Sequence, residues 1–224
     1  AAYSVWHSPG YRRQSNSITD LMSACGPSFF VAMGVLIKKI KGREDKNMNI
    51  GQIFYADSAN GPGMRVSVFV SGCTNHCPGC FQPETWDFSY GVPYTEETED
   101  KFLAELAKPY YHGLTVLGGE PFEKENQPAV SALVRRVRET LPEKTIWIYT
   151  GFTYDRDLVP SGCRYTSCTD QILDAIDVLV DGRYMKELKD LSLVFRGSKN
   201  QRILDMKWTR KQGQAVFCKQ YHKT

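Results

Sequence analysis

The chain has no long apolar run. The longest is FFVAMGVLI at residues 29–37, far short of the ~20 apolar residues that a membrane-spanning helix takes, so no membrane role is expected. It has no strong excess of one charge either: 28 Lys and Arg stand against 25 Asp and Glu. The small surplus lies in residues 1–47, which hold seven basic and three acidic side chains, leaving 21 against 22 in the rest. A surface that tracks phosphates needs clustered Lys and Arg, so no nucleic-acid partner is expected. There is no internal repeat and no low-complexity tract. The N-terminus shows no basic stretch leading into a long apolar run and a small-residue cleavage site. The seven cysteines, Cys25, Cys73, Cys77, Cys80, Cys163, Cys168 and Cys218, are odd in number, which does not suggest a disulfide framework. A reducing, cytoplasmic setting is therefore expected, where clustered cysteines bind metal or do chemistry.

What the sequence does have is SGCTNHCPGCFQPETW at 71–86. Cys73, Cys77 and Cys80 crowd into one short stretch, and no fourth cysteine follows nearby. A structural zinc site ordinarily takes four ligands, and a four-iron cubane ordinarily takes four thiolates. Three thiolates leave one iron without a protein ligand, open to a small chelating molecule. Gly72 lets the backbone approach closely after a strand, and Pro78 and Gly79 favour a sharp turn.

Around this loop the elements alternate. RVSVFV (65–70) reads as a strand after the turn NGPG (60–63). EETEDKFLAELAK (96–108) reads as a helix with Thr95 as N-cap and Pro109 beyond its end. LTVL (114–117) is a short buried strand running into Gly118-Gly119-Glu120-Pro121. QPAVSALVRRVRETL (127–141) sets Val130, Leu133, Val134, Val137 and Leu141 on one helical face. TIWIYTG (145–151) and DVLV (177–180) are further strands. Such alternation implies an α/β fold with a parallel sheet, in which ligands bind beyond the carboxyl ends of the strands. Residues 1–47 differ in composition and read as an extension, Met48 opening what looks like a fresh domain start. The domain is expected to span 48–205, followed by a basic, mobile tail over 206–224. Glu123, Glu125, the acidic run at 96–100 and Arg135, Arg136 and Arg138 are expected on solvated faces, and Trp86 and Trp147 in packing. Cys163 and Cys168 read as free thiols of a loop, without a metal.

Cys73-x3-Cys77-x2-Cys80 is the radical S-adenosylmethionine signature. The resemblance extends through NGPGMRVSVFVSGCTNHCPGCFQPETWDF, VLGGEPF, IWIYTGF and IDVLVDGRYMKELKDLSLVFRGSKNQRI. Over about Met48 to Ile203 the chain resembles the activating proteins of anaerobic ribonucleoside-triphosphate reductase. The resemblance implies a partial, trimmed (βα)6 barrel, open on one side. It implies a 4Fe-4S cluster on Cys73, Cys77 and Cys80, whose free iron binds the amino and carboxylate groups of S-adenosylmethionine. It also implies reductive cleavage of that ligand to methionine and a 5′-deoxyadenosyl radical, which takes a hydrogen atom from a glycine of the partner reductase. Gly79 and Phe81 would touch the methionine or adenine part, as would Cys80 between them. Gly118 and Gly119 would approach the aminoacyl end, and Glu120 would accept from its ammonium. The NGPG turn would shape the rim, and Thr150 and Gly151 would line the same mouth. No Arg-Val-x-Gly-Tyr segment is present, so the radical is expected on another polypeptide. An electron donor such as flavodoxin or ferredoxin is implied, and the oligomeric state stays open, a homodimer included. Two other readings stand beside this one: an activase of another glycyl-radical enzyme of the formate-lyase type, and a non-catalytic zinc-binding module, to which His76 within the loop would lend itself.

Overall fold

The computed structural model describes residues 47–221. The expected extension, including Cys25 and the apolar run at 29–37, lies outside the described residues apart from Asn47, as does His222. Strands β1 (Asn49–Asp57), β2 (Arg65–Val70), β3 (Val92–Pro93), β4 (Gly113–Gly118), β5 (Thr145–Tyr149), β6 (Val178–Asp181) and β7 (Arg202–Asp205) form one sheet in the order β3-β1-β2-β4-β5-β6-β7. Strands β2, β4, β5 and β6 run parallel, whereas β1 and β7 pair antiparallel at the two flanks. The sheet is mixed and not closed, and its parallel part comprises four strands.

Among the described residues five α-helices accompany it: α1 (Glu96–Leu106), α2 (Gln127–Thr140), α3 (Tyr154–Asp157), α4 (Thr169–Ala175) and α5 (Met206–Gln212). Thr95 caps α1 by accepting from the Thr98 amide at 3.2 Å, as the hydroxyl of an N-cap does. Side chains alternate across a strand, and the alternation sorts the core. Val66, Val68, Val70, Leu114, Val116, Ile146, Ile148 and Leu179 pack with Phe102 and Leu106 of α1, Val130, Leu133, Val134 and Val137 of α2, and Ile172 of α4. Each such side chain contributes about 1.5–3 kcal/mol on burial. Trp147, Val178, Val180 and Ile203 form a second cluster with Cys218.

Two expectations are corrected here. Residues 206–221 are packed: α5 ends on Gly213 in the left-handed conformation, Leu204 bridges Phe217, and Tyr221 lies edge-on to Trp147 at 5.4 Å. The pull is apolar, since Cys218 and Tyr221 bring burial that outweighs the exposure of Lys219 and Gln220 between them. Arg136 and Arg138 on α2 are engaged rather than merely solvated, while Arg135 is exposed as expected. Arg136 pairs with buried Glu99 at 3.0 Å and with Asp100 at 2.5 Å, and Arg138 pairs with Asp177 at 2.7 Å. Glu99, 0 % exposed, needs a counter-charge that composition could not assign. No helix among the described residues is long and apolar enough to cross a membrane.

Candidate functional site

The carboxyl ends of β2, β4, β5 and β6 open on one cavity of about 470 Å³, within the roughly 300–1,000 Å³ common for small-molecule sites. Cys73, Cys77 and Cys80 line it, and so do Gly79, Phe81, Gly118, Gly119, Glu120, Thr150 and Gly151. Of the NGPG turn, Asn60 reaches it. The three thiols, the Gly118-Gly119-Glu120 turn and the Thr150–Gly151 pair thus meet in one place, drawn from three separate strand ends.

The cysteine loop is built tightly. Gly72 and Gly79 have φ of +94° and +75°, and a turn from Cys80 N to Cys77 O (3.0 Å) closes the x2 segment. Cys73 is buried, Cys77 and Cys80 half-buried. Burial, and then the nearby Glu120 carboxyl, push the Cys73 thiol up to about 12. A bound cation reverses that balance by holding the thiolate. The ring of His76, the residue a Cys3His site would use, lies against Trp86, centroids 4.7 Å apart. Among the described residues no three His, Cys, Asp or Glu side chains gather closely enough to hold a single metal ion. Three thiols at this spacing around a roomy cavity suit a multi-iron cluster, so the donor set fits that group.

The Gly118-Gly119-Glu120 turn is the continuation of β4 beside the root of the cysteine loop. Gly119 N donates to Val70 O (2.6 Å) and Glu120 N to Gly72 O (2.8 Å). A Cβ on Gly119 would stand 2.6 Å from Gly72 O and 2.9 Å from Thr85 O, so the glycine is demanded by the backbone it abuts. Glu120 is 1 % exposed. Its carboxylate accepts from Phe122 N (2.9 Å), Thr150 Oγ1 (2.7 Å), Gly151 N (2.7 Å) and Asn75 Nδ2 (3.2 Å). Burial lifts it to about 7 while these donors pull it back. The expected bond to a ligand's ammonium competes with four protein donors. Glu120 is thereby a tie between the cysteine loop and the ends of β4 and β5.

Sequence reasoning missed three residues here. Glu123, expected in solvent, is 1 % exposed and accepts from Thr74 N at 2.8 Å and Thr74 Oγ1 at 2.6 Å. Arg164 pairs with it at 3.1 Å, and Asn75 packs on Gly151. Only their closeness to motif residues could have hinted at this. Cys163 is exposed and Cys168 buried, both free. The mouth is framed by residues after β6, including Tyr184, Leu191, Leu193, Phe195 and Arg196.

Comparison with known proteins identifies relatives of this chain. Residues 59–204 match the family model of a 4Fe-4S single cluster domain. The chain is 40% identical over 156 residues to the anaerobic ribonucleoside-triphosphate reductase-activating protein of Salmonella typhimurium, covering 69% of this chain and 96% of that protein. It is 41% identical over 158 residues to the protein of that name from Vibrio cholerae (70% and 97%) and 38% identical over 156 residues to that of Enterobacteria phage T4 (70% and 93%). With the cysteine loop and the glycine turn inside the matched span, the chain belongs to the family of anaerobic ribonucleoside-triphosphate reductase-activating proteins.

Proposed function

We propose that the chain activates anaerobic ribonucleoside-triphosphate reductase, holding a 4Fe-4S cluster on Cys73, Cys77 and Cys80 and S-adenosylmethionine beside it. The observation that carries this is the meeting of the three thiols with Gly118, Gly119 and Glu120 in one cavity at the strand ends. When bound, the reduced cluster supplies one electron that breaks a carbon–sulfur bond of S-adenosylmethionine, giving methionine and a 5′-deoxyadenosyl radical that takes a hydrogen atom from a glycine Cα of the reductase. The chemistry is the cofactors' own, and the protein's share is position, dryness and charge.

The chain's residues divide that share. The turn at Cys77–Cys80 presents the thiols, and Gly79 and Phe81 flank the third of them on the cavity side. Glu120 fixes the relative placement of the cysteine loop and the Thr150–Gly151 turn. Leu117, Tyr149, Leu193 and Phe195 give the cavity apolar walls that keep water from a reactive radical. The four parallel strands read as the core of a trimmed (βα)6 barrel whose open side admits the reductase's glycine segment. A flavodoxin or ferredoxin would supply the electron, in the reducing cytoplasm that such a cluster needs.

Anaerobic reconstitution with iron and sulfide, followed by assay for 5′-deoxyadenosine with and without the reductase, tests this reading. About four irons per chain, S-adenosylmethionine cleavage and a glycyl-radical signal on the reductase are expected. Stoichiometric zinc without sulfide, or no cleavage by the reduced protein, would overturn it.

A further inference from the structure

We propose that Glu123 and Arg164 are positioning residues for the cysteine loop: an ion pair of a buried carboxylate and a half-buried guanidinium that fixes Thr74, next to Cys73, and through its two opposite charges sets the reduction potential of the cluster. This rests on the cluster reading above and goes beyond it by assigning a role to residues outside the thiolate and glycine motifs.

The geometry is specific. Glu123 Oε1 accepts from both the amide and the hydroxyl of Thr74, at 2.8 and 2.6 Å. Glu123 Oε2 pairs with Arg164 Nη1 at 3.1 Å, the two side chains being 1 % and 23 % exposed. Arg164 Nη2 donates back to Thr74 Oγ1 at 2.6 Å, closing a ring of three residues. The guanidinium is fixed in turn, lying 4.5 Å over the Phe152 ring. Its backbone is held as well, by Arg164 N to Asp157 O at 3.0 Å and Gln127 Nε2 to Arg164 O at 2.7 Å. The loop from Cys163 to Cys168 thus delivers an arginine to the cysteine loop, which gives this two-cysteine segment a purpose that needs no metal.

A buried ion pair is weak evidence for stability, since desolvation offsets attraction. Its charges, however, act at close range in a poorly screening interior, and charge near an iron–sulfur cluster moves its potential. Glu123 accepts from the amide of Thr74, the residue next to Cys73, which places its charge close to that thiol. An anion beside the cluster disfavours the added electron, and a cation favours it. Removing the anion leaves Arg164 unopposed, and removing the cation leaves Glu123 unopposed.

The test is a redox titration of the reconstituted full chain, followed by the electron paramagnetic resonance of the reduced cluster, at about pH 8.5, above the ordinary glutamate range. Glu123→Gln is expected to raise the midpoint potential and Arg164→Gln to lower it, while Arg164→Lys, which keeps the charge, stays near wild type. A role confined to holding the loop would move both neutral variants the same way, or neither, and either result overturns the inference while leaving the cluster reading standing. If Glu123→Gln does not fold, the Gln and Lys variants of the more exposed Arg164 carry the comparison: a lowered potential in the first and not the second supports the proposal, and equal potentials overturn it. Wild-type protein that takes up no iron would overturn both readings. In the metal-free chain the Thr74 amide is expected to be protected from hydrogen exchange, with that protection lost in Glu123→Ala, which has no acceptor to offer it. Equal exchange in the two would remove the positioning role.

Discussion

Gly119 shows how little freedom a single position in this site has. The three nearest atoms that a methyl group there would meet are all main chain: Gly72 O at 2.6 Å, Thr85 O at 2.9 Å and Val70 O at 3.0 Å. None can swing away as a side-chain tip would. Gly119→Ala must push the end of β4 from the root of the cysteine loop, at a cost of about 1–3 kcal/mol for overpacking. Denaturant unfolding should show that loss, and iron uptake on reconstitution should fall with it. Wild-type iron content at unchanged stability would mean that the two backbones are not in the contact described. Cysteine environment makes a second residue-scale prediction. Burial pushes the Cys218 thiol up to about 11, so at pH 8 about one molecule in a thousand carries its thiolate, the reactive form. Cys163 lies exposed. Alkylation of the folded, metal-free chain followed by peptide mass spectrometry should label Cys163 early and Cys218 only on unfolding. Early labelling of Cys218 would show that the C-terminal segment does not pack as found.

Elements divide the work between scaffold and site, and the C-terminal segment belongs to both. Trp147, Phe195 and Tyr221 meet edge-to-face, with centroids 5.4–5.5 Å apart in each pair. Phe195 sits at φ +54°, a conformation that costs a non-glycine residue on the order of 1 kcal/mol, and Tyr149 Oη donates to its carbonyl at 3.0 Å. The ring of Tyr221 thus braces a strained residue of the cavity mouth. Tyr221→Ala should cost about 1–2 kcal/mol in thermal or chemical unfolding, below the 3–5 kcal/mol of a fully buried aromatic, and, on the proposed function, should weaken S-adenosylmethionine binding measured by calorimetry. Unchanged stability and affinity would refute the brace. The sequence was legible where signals are local: β2 at RVSVFV, the Thr95 cap, the apolar face of α2, and the thiols beside the glycine turn. The ion pairs of Glu99, Glu123 and Arg164 were not legible, because each joins residues far apart in the chain and burial follows from the fold. The tail misled for a related reason: its composition is basic, and its anchors are only a few apolar residues whose partners lie on β5, β6 and β7.

Across the whole molecule, a sheet that does not close leaves its site facing outward. Around that mouth the segment after β6 carries apolar groups in solvent: Leu191 is 89 % and Val194 51 % exposed, and Phe81 on the cysteine loop is 76 % exposed. Exposed apolar groups beside an open site fit a surface that is covered in a complex. On the proposed function the cover is the reductase segment that bears the glycine, and its arrival shields the radical from solvent. Val194 is not among the cavity's lining residues, so a charge there should spare the chemistry inside and oppose docking. Val194→Asp is expected to cleave S-adenosylmethionine at the wild-type rate in the absence of the reductase. The glycyl-radical yield at limiting reductase should fall by about tenfold, the equivalent of 1.4 kcal/mol in docking. Counting 5′-deoxyadenosine against glycyl-radical spins separates the two steps: docking through this face raises the ratio, because cleavage continues without delivery. A ratio unchanged from wild type would place the reductase on another face of the molecule.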